Sequence, residues 1–159
     1  LDQTVRRALL VRLSRWDGDW CFGQRLADRL QDVELDDGGR PISELLREAR
    51  LYITTNNGTT FLESIFLGVP TVMFWDTEMW GLTELARPAF DRLSAVGVFF
   101  DDPIKAAGHV SEVWDDVGSW WNDPDVRDAV EAFSVQFCRR SPDVLDEVRR
   151  VLVEVSRRR

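Results

Sequence analysis

Short apolar runs alternate along the chain with longer stretches of helical period. Residues 8–13, 33–35, 51–54, 71–75 and 96–100 are brief and mostly Val, Leu, Ile or aromatic, which is how buried strands read. Between them, residues 59–67 repeat Phe61, Leu62, Ile65 and Phe66 on one helical face. Ile42, Leu45, Leu46 and Ala49 do the same with Ser43 as the expected N-cap. Helices are also expected over residues 24–30, 82–94 (interrupted by Pro88), 103–116, 124–137 and 142–155, and as a turn leading into the first strand.

Punctuation agrees with these bounds. Asp36-Asp37-Gly38-Gly39 is a turn signal, Gly68 stands where a helix C′ glycine belongs, and Pro70 prevents that helix from resuming. Asp102-Pro103 reads as an N-cap followed by Pro at the first helical position. Residues 14–23 read as a loop and residues 118–121 as a Gly/Trp-rich break. Strands alternating with helices, without strict polar alternation inside the strands, indicate a parallel sheet buried on both faces. The expected class is α/β: one Rossmann-like parallel sheet flanked by helices, with further C-terminal helices, as a single domain over residues 1–159.

Composition narrows the chemistry. Twenty Lys and Arg against 28 Asp and Glu give a net charge of −8. That argues against nucleic acid or an anionic bilayer as the main partner, since both are bound by neutralising phosphates. Cys21 and Cys138 lack CxxC spacing, and with His109 as the single histidine a His/Cys metal site is not expected. No apolar run approaches the roughly 20 residues of a membrane helix, and no signal peptide is evident, so a cytoplasmic location is expected. Seven tryptophans (16, 20, 75, 80, 114, 120 and 121) stand out in a chain of this length, either as core packing or as stacking surfaces.

In open α/β sheets ligands bind beyond the carboxyl ends of the strands. The segment Thr54-Thr55-Asn56-Asn57-Gly58-Thr59-Thr60-Phe61-Leu62-Glu63 is a strand end, a Gly/Asn/Thr loop and a helix start. The free N–H groups and positive dipole end of such a helix suit an anion. Asn57, Gly58, Thr59 and Thr60 are therefore candidates for phosphate, and Glu63, one turn in, for ribose hydroxyls; an ordinary capped turn would look the same. Arg12, ending the first strand, could face a phosphate or pair with a carboxylate. Trp75, Asp76 and Glu78, in the loop that also holds Trp80, are candidates for sugar or base contacts, or else a solvated acidic loop. The segment from Trp16 to Trp20 is less specific. There is no Walker lysine, GxGxxG or GxSxG, and no Ser/His/Asp set. His109 and the two cysteines show no activating partner, and no catalytic residue is assigned.

Residues 49–76 resemble the donor-binding half of GT-B glycosyltransferases, in which a Ser/Gly/Thr loop, a helix with an early Glu and a Gly-x-Pro before the next strand recur. More narrowly, Thr59-Thr60-Phe61-Leu62-Glu63, Pro70-Thr71-Val72, Phe74-Trp75, residues 97–103, and Val113-Trp114-Asp115-Asp116-Val117 with Trp120-Trp121 resemble a family of transferases. Its members are encoded among bacterial O-antigen and surface-carbohydrate genes. The likeness runs from about Leu10 to Phe137 and is loose before Asp36.

The resemblance implies the C-terminal, nucleotide-sugar-binding portion of a metal-independent glycosyltransferase. The 57–60 loop would hold the donor's phosphates and Glu63 the ribose; no cofactor is implied beyond the nucleotide-activated sugar itself. It also implies a partner domain, N-terminal in the same protein, that binds acceptor. A chain beginning at Leu1 is accordingly expected to be a piece of a longer one, binding donor weakly or not at all and turning nothing over alone. The other readings are a sugar-nucleotide epimerase or polyol-phosphate transferase of the same architecture, and a non-catalytic flavodoxin-like interaction domain. A receiver domain is disfavoured because the central strand ends in Thr54-Thr55-Asn56 instead of an Asp.

Overall fold

The computed structural model describes residues 1–13, 20–30, 33–138 and 141–157. In chain order these form α1 (Gln3–Arg7), β1 (Leu10–Arg12), α2 (Phe22–Arg29), β2 (Glu34–Asp36), α3 (Ile42–Glu48), β3 (Tyr52–Thr54), α4 (Thr60–Leu67) and β4 (Thr71–Phe74). There follow α5 (Arg87–Ala95), β5 (Phe99–Phe100), α6 (Pro103–Val113), a 3-10 turn (Trp114–Asp116), α7 (Val117–Trp121), α8 (Pro124–Phe137) and α9 (Val144–Arg157). The protein is a mixed α/β fold of small parallel sheets flanked by helices.

The single sheet expected from the sequence is two. β1 pairs with β2, Arg12 opposite Asp36, and β3-β4-β5 form a separate three-stranded sheet with Thr54 opposite Met73 and Phe74 opposite Phe100. Both sheets are parallel throughout. The two sheets differ in burial: β1 and β2 each begin on an exposed residue and are otherwise half-buried, whereas Thr71, Val72 and Met73 of β4 are all buried.

The central sheet positions everything else. Residues alternate faces along a strand, and β4 shows it. Met73 and Trp75 join Phe61 and Ile65 of α4, Phe90 and Leu93 of α5, and Val126, Val130 and Phe133 of α8 in the larger core. Val72 faces the other way, onto Val5 of α1 and Ala106 and Val110 of α6. Strand order 3-4-5 steps in one direction, so right-handed crossovers put α4 and α5 on one face. Gly68 ends α4 in the left-handed conformation (φ 75°), as a C′ glycine does. Asp102 caps α6, its carboxylate accepting from the N–H of Ile104 (2.7 Å) and Lys105 (3.0 Å). Those backbone hydrogen bonds hold its carboxyl below the usual range.

Four local expectations are corrected. Ser43 is not the N-cap of α3; Pro41 is, and Ser43 lies in the first turn. Pro88 does not interrupt a helix, because α5 starts at Arg87 and a first-turn proline has no intrahelical N–H bond to lose. Residues 117–121 are helix and not a break, because Asp116 accepts from Ser119 N–H at 2.9 Å and caps them. Helix α2 starts at Phe22, inside the expected loop.

The tryptophans divide by role. Trp75 and Trp121 are 3% and 4% exposed. Trp121 Nε1 donates to Gly68 O (3.2 Å) and Trp120 Nε1 to Val96 O (3.1 Å), so two indoles close off the ends of α4 and α5. Arg50 lies over the Trp114 ring, 4.8 Å from its centroid, and donates to Asp115 O. Trp20 and Trp80 remain exposed, and Trp16 lies outside the described residues. No residue of α9 is buried. Among the described residues no helix is long and apolar enough to cross a membrane.

Candidate functional site

Because β3, β4 and β5 are parallel and in register, their following loops leave one edge of the sheet side by side, with strands about 4.8 Å apart. That edge carries residues 55–59 after β3, Asp76 and Glu78 after β4, and Asp101 after β5.

The loop after β3 is folded by its own side chains. Asn56 Oδ1 accepts from Gly58 N–H at 2.9 Å, and Thr54 Oγ1 donates to Asn56 O at 3.2 Å. Asn and Gly favour this closure because the short amide mimics a backbone turn. The chain then enters α4 through Thr59, whose carbonyl accepts from Leu62 and Glu63 N–H (3.0 and 3.3 Å). Unlike α6, α4 has no side-chain cap on its N-terminus. Its first-turn N–H groups therefore face the loop, with the positive end of the helix dipole behind them. Asn57, Thr59 and Glu63 are exposed, and Gly58 and Thr60 half-buried. The Gly58 N–H is already occupied by Asn56; those at the start of α4 are the ones an anion would meet.

Arg12 is held at the edge of the other sheet. It pairs with Asp36 at 3.2 Å and donates to Arg40 O at 2.7 Å and Gly38 O at 3.5 Å. The carboxylate partner weighed from the sequence is present. Trp75 is placed in the core, with its ring centroid 4.7 Å from Phe99 and 5.8 Å from Phe61 in the first turn of α4. It supports the loop from beneath and presents no ring face to solvent. Asp76 and Glu78 are exposed, and Asp76 Oδ1 accepts from Glu78 N–H at 2.8 Å.

Sequence reasoning passed over Tyr52. Its side chain is half-buried and packs against the larger core. Burial raises the phenol above its ordinary range, and the charge of Glu63 adds to that; Thr54, Thr60 and Arg12 act in the opposite direction. The signal was present as spacing: residues 52 and 54 share one face of a strand whose end is a candidate site.

The other titratable candidates lie elsewhere. His109, on α6, packs against Phe100 and Trp120, and burial pushes its imidazole below the usual range. Burial pushes the Cys138 thiol up, the opposite of an activated nucleophile. Beside α4 lies a shallow apolar groove of about 430 Å3, lined by Leu62, Phe66, Leu67 and Phe137 with Glu63 at its rim. Among the described residues no group of three or more His, Cys, Asp or Glu is placed to share a metal ion.

The family model of the LIC12162 family transferases matches residues 1–152. The chain belongs to this transferase family. No curated protein and no solved structure matches it. Membership fixes the reaction class as group transfer, and a transferase needs a seat for the leaving portion of its donor. In this family member the uncapped start of α4, at the carboxyl edge of a parallel sheet, has the physical properties of such a seat.

Proposed function

We propose that this transferase is a glycosyltransferase of bacterial surface-polysaccharide (O-antigen) biosynthesis, and that the chain is its nucleotide-sugar-binding portion, a Rossmann-like half of a GT-B architecture. The observation that carries the reading is the exposed, self-folded loop of Asn57, Gly58 and Thr59 running into an α4 N-terminus without a side-chain cap. The donor's phosphates sit on the first N–H groups of α4 and the hydroxyls of Thr59 and Thr60. Glu63, on the next turn, accepts hydrogen bonds from ribose hydroxyls. Asp76 and Glu78, on the neighbouring loop, face the sugar.

Chemistry in this reading is electrostatic. As the glycosidic bond to the donor breaks, negative charge grows on the departing phosphate, and oriented N–H groups stabilise it without reorganising. A helix N-terminus supplies roughly 0.3–1 kcal/mol when exposed and up to about 2 kcal/mol in partly buried geometry. Arg12, fixed by Asp36, adds positive potential from the adjoining sheet. The reading requires no cofactor beyond the donor sugar nucleotide, and the glycosyl group passes to an acceptor held by the partner domain. A loop packed against another element would have favoured an interaction domain; exposure of Asn57 and Thr59 favours a ligand site instead. An epimerase or a polyol-phosphate transferase would use the same seat, and product analysis separates them.

Calorimetric titration of the full-length parent protein, alongside this chain, with UDP, GDP, CDP and CMP tests the reading. Saturable binding of one nucleotide is expected, weakened about ten- to a hundredfold by Glu63→Ala, the loss that follows from removing a charged hydrogen-bond acceptor. Thr59→Ala should weaken it less, and neither variant should alter thermal unfolding. Absence of binding by the full-length parent to all four nucleotides counts against the assignment.

A further inference from the structure

Helix α9 carries an apolar face that the fold leaves uncovered. None of its residues is buried, and five of its 14 are valine, a weak helix former. A helix this short is marginal in water on propensity alone and takes its stability from burying one face. Val144, Val148, Val151 and Val155 form that face, with Leu145 and Leu152 along one flank, and all six are 50–82% exposed. Val144 and Val151, Leu145 and Leu152, and Val148 and Val155 each stand seven residues apart. A strict seven-residue repeat is the seam of a left-handed coiled coil, and what covers such a seam is another helix.

Charge selects that second helix and its direction. Asp143, Asp146 and Glu147 stand at the start of α9 and Arg157 at its end, where the sequence continues Arg158-Arg159. Two copies laid antiparallel bring each acidic start against the other's basic end, twice over by the two-fold symmetry. A parallel pair would set like charges together. In the antiparallel register Val144 of one copy meets Val155 of the other and Val148 meets Val151, while Leu145 covers the same flank as Leu152 of the second copy. On the opposite flank Glu147 of one copy approaches Glu154 of the other. Arg150, three residues after Glu147 and four before Glu154, shares their helix surface and offsets that repulsion. Helices of 14 residues are about 21 Å long, and mating two such faces buries about 1,000 Å2, the lower bound for a specific interface. An anionic bilayer is the other surface an amphipathic helix can meet, and Asp146, Glu147 and Glu154 weigh against it.

We propose that α9 is a self-association surface: two copies of this chain pair antiparallel, as a two-helix coiled coil, through Val144, Val148, Val151 and Val155. The surface lies on a different element from the donor seat, and pairing requires no nucleotide.

The test is sedimentation velocity of the chain from about 1 to 200 μM, a range that brackets an interface of this size. A monomer–dimer equilibrium in the micromolar range is expected. Val148→Asp places a carboxylate in both central layers and should weaken dimerisation about a hundredfold or more. Val153→Asp, the same change on the far side of α9, should leave it as in wild type. Neither side chain is buried in the core, so near-UV circular dichroism should be unchanged in both. Arg157→Asp should weaken pairing about two- to tenfold. Adding Asp143→Arg to it should restore pairing, as only an antiparallel arrangement does; no restoration overturns that arrangement. A chain that stays monomeric throughout overturns the proposal, as do equal losses in Val148→Asp and Val153→Asp. The full-length parent should dimerise with the same dependence on Val148. A monomeric parent gives the face to another of its own domains, and Val148-dependent co-sedimentation of a monomeric chain with phosphatidylglycerol vesicles gives it to a bilayer; either result overturns self-association.

Discussion

The imidazole of His109 fills the space that a side chain at residue 97 would need. A Cβ built on Gly97 would stand 2.6 Å from His109 Cε1 and 2.7 Å from Nε2, and Gly97 also has φ +77°, where L side chains are strained. Glycine is thus required here twice over, at the turn that feeds β5 from α5.

Gly97→Ala should destabilise the fold by about 2–4 kcal/mol, combining left-handed strain with overpacking. At this chain length that is a fall of roughly 4–16 °C in the unfolding midpoint. The clash is specific, so a double-mutant cycle with His109→Ala should recover part of the loss and leave the strain. Urea unfolding of the four proteins measures it; strictly additive effects would show that the ring moves aside without penalty.

The same ring makes stability depend on pH in a defined direction. Burial lowers the folded-state pKa of His109 below the ordinary 6.5, with Glu112 partly offsetting it. The unfolded chain therefore takes up the proton first as pH falls, and the native state loses stability from about pH 6.5 down to the folded pKa. Above pH 7 the contribution is constant. His109→Gln should flatten this part of the profile relative to wild type. A histidine titration followed by NMR that gave a pKa at or above 6.5 would contradict the argument.

A buried hydroxyl pair between α4 and β4 offers a sharper energetic test. Ser64 and Thr71 are fully buried, their oxygens 3.0 Å apart; Ser64 donates to Phe61 O (2.8 Å), and Thr71 Oγ1 also lies 2.8 Å from Val69 O. Thr71→Val or Ser64→Ala alone leaves a buried acceptor without its donor and should cost about 1–3 kcal/mol. The double variant should cost less than the two singles together, because fewer groups are left half-satisfied. Chemical denaturation reads the difference, and simple additivity would refute the coupling.

Much of this was legible in the sequence where the deciding chemistry is local. Gly68 and Asp102-Pro103 mark the ends of α4 and α6 because a cap acts within a few residues of itself. Ser43 misled because an N-cap side chain looks alike whether it stands at the cap or two residues inside; what decided was the extended backbone of Pro41 (ψ 134°). The split into two sheets could not be read, since it depends on whether β1 finds an apolar neighbour far away in sequence. Trp75 and Trp80 share one loop region yet end 3% and 51% exposed. The period of two from Met73 to Trp75 carried that signal, for both belong to the face that meets α4 and α5. Membership in a transferase family was legible from the 59–63 and 113–117 segments, which the match over residues 1–152 supports.

The loop itself yields two substitutions with opposite expected signs. A Cβ on Gly58 would meet Asn56 Oδ1 at 2.7 Å. Gly58→Ala must rotate the Asn56 side chain, break its bond to the residue 58 N–H, and put a methyl group where a phosphate would approach the backbone. Affinity for the nucleotide should fall about tenfold or more, while stability changes by less than about 1 kcal/mol because the loop is on the surface. Asn56→Ala also breaks that bond, but adds no bulk and leaves the Gly58 N–H free to donate to an anion. Its affinity should equal or exceed that of wild type, offset in part by a looser loop. Calorimetry on the two variants side by side decides. If both lose affinity equally, the preformed Asn56 turn is what matters, and if neither changes, the phosphates do not lie on this loop.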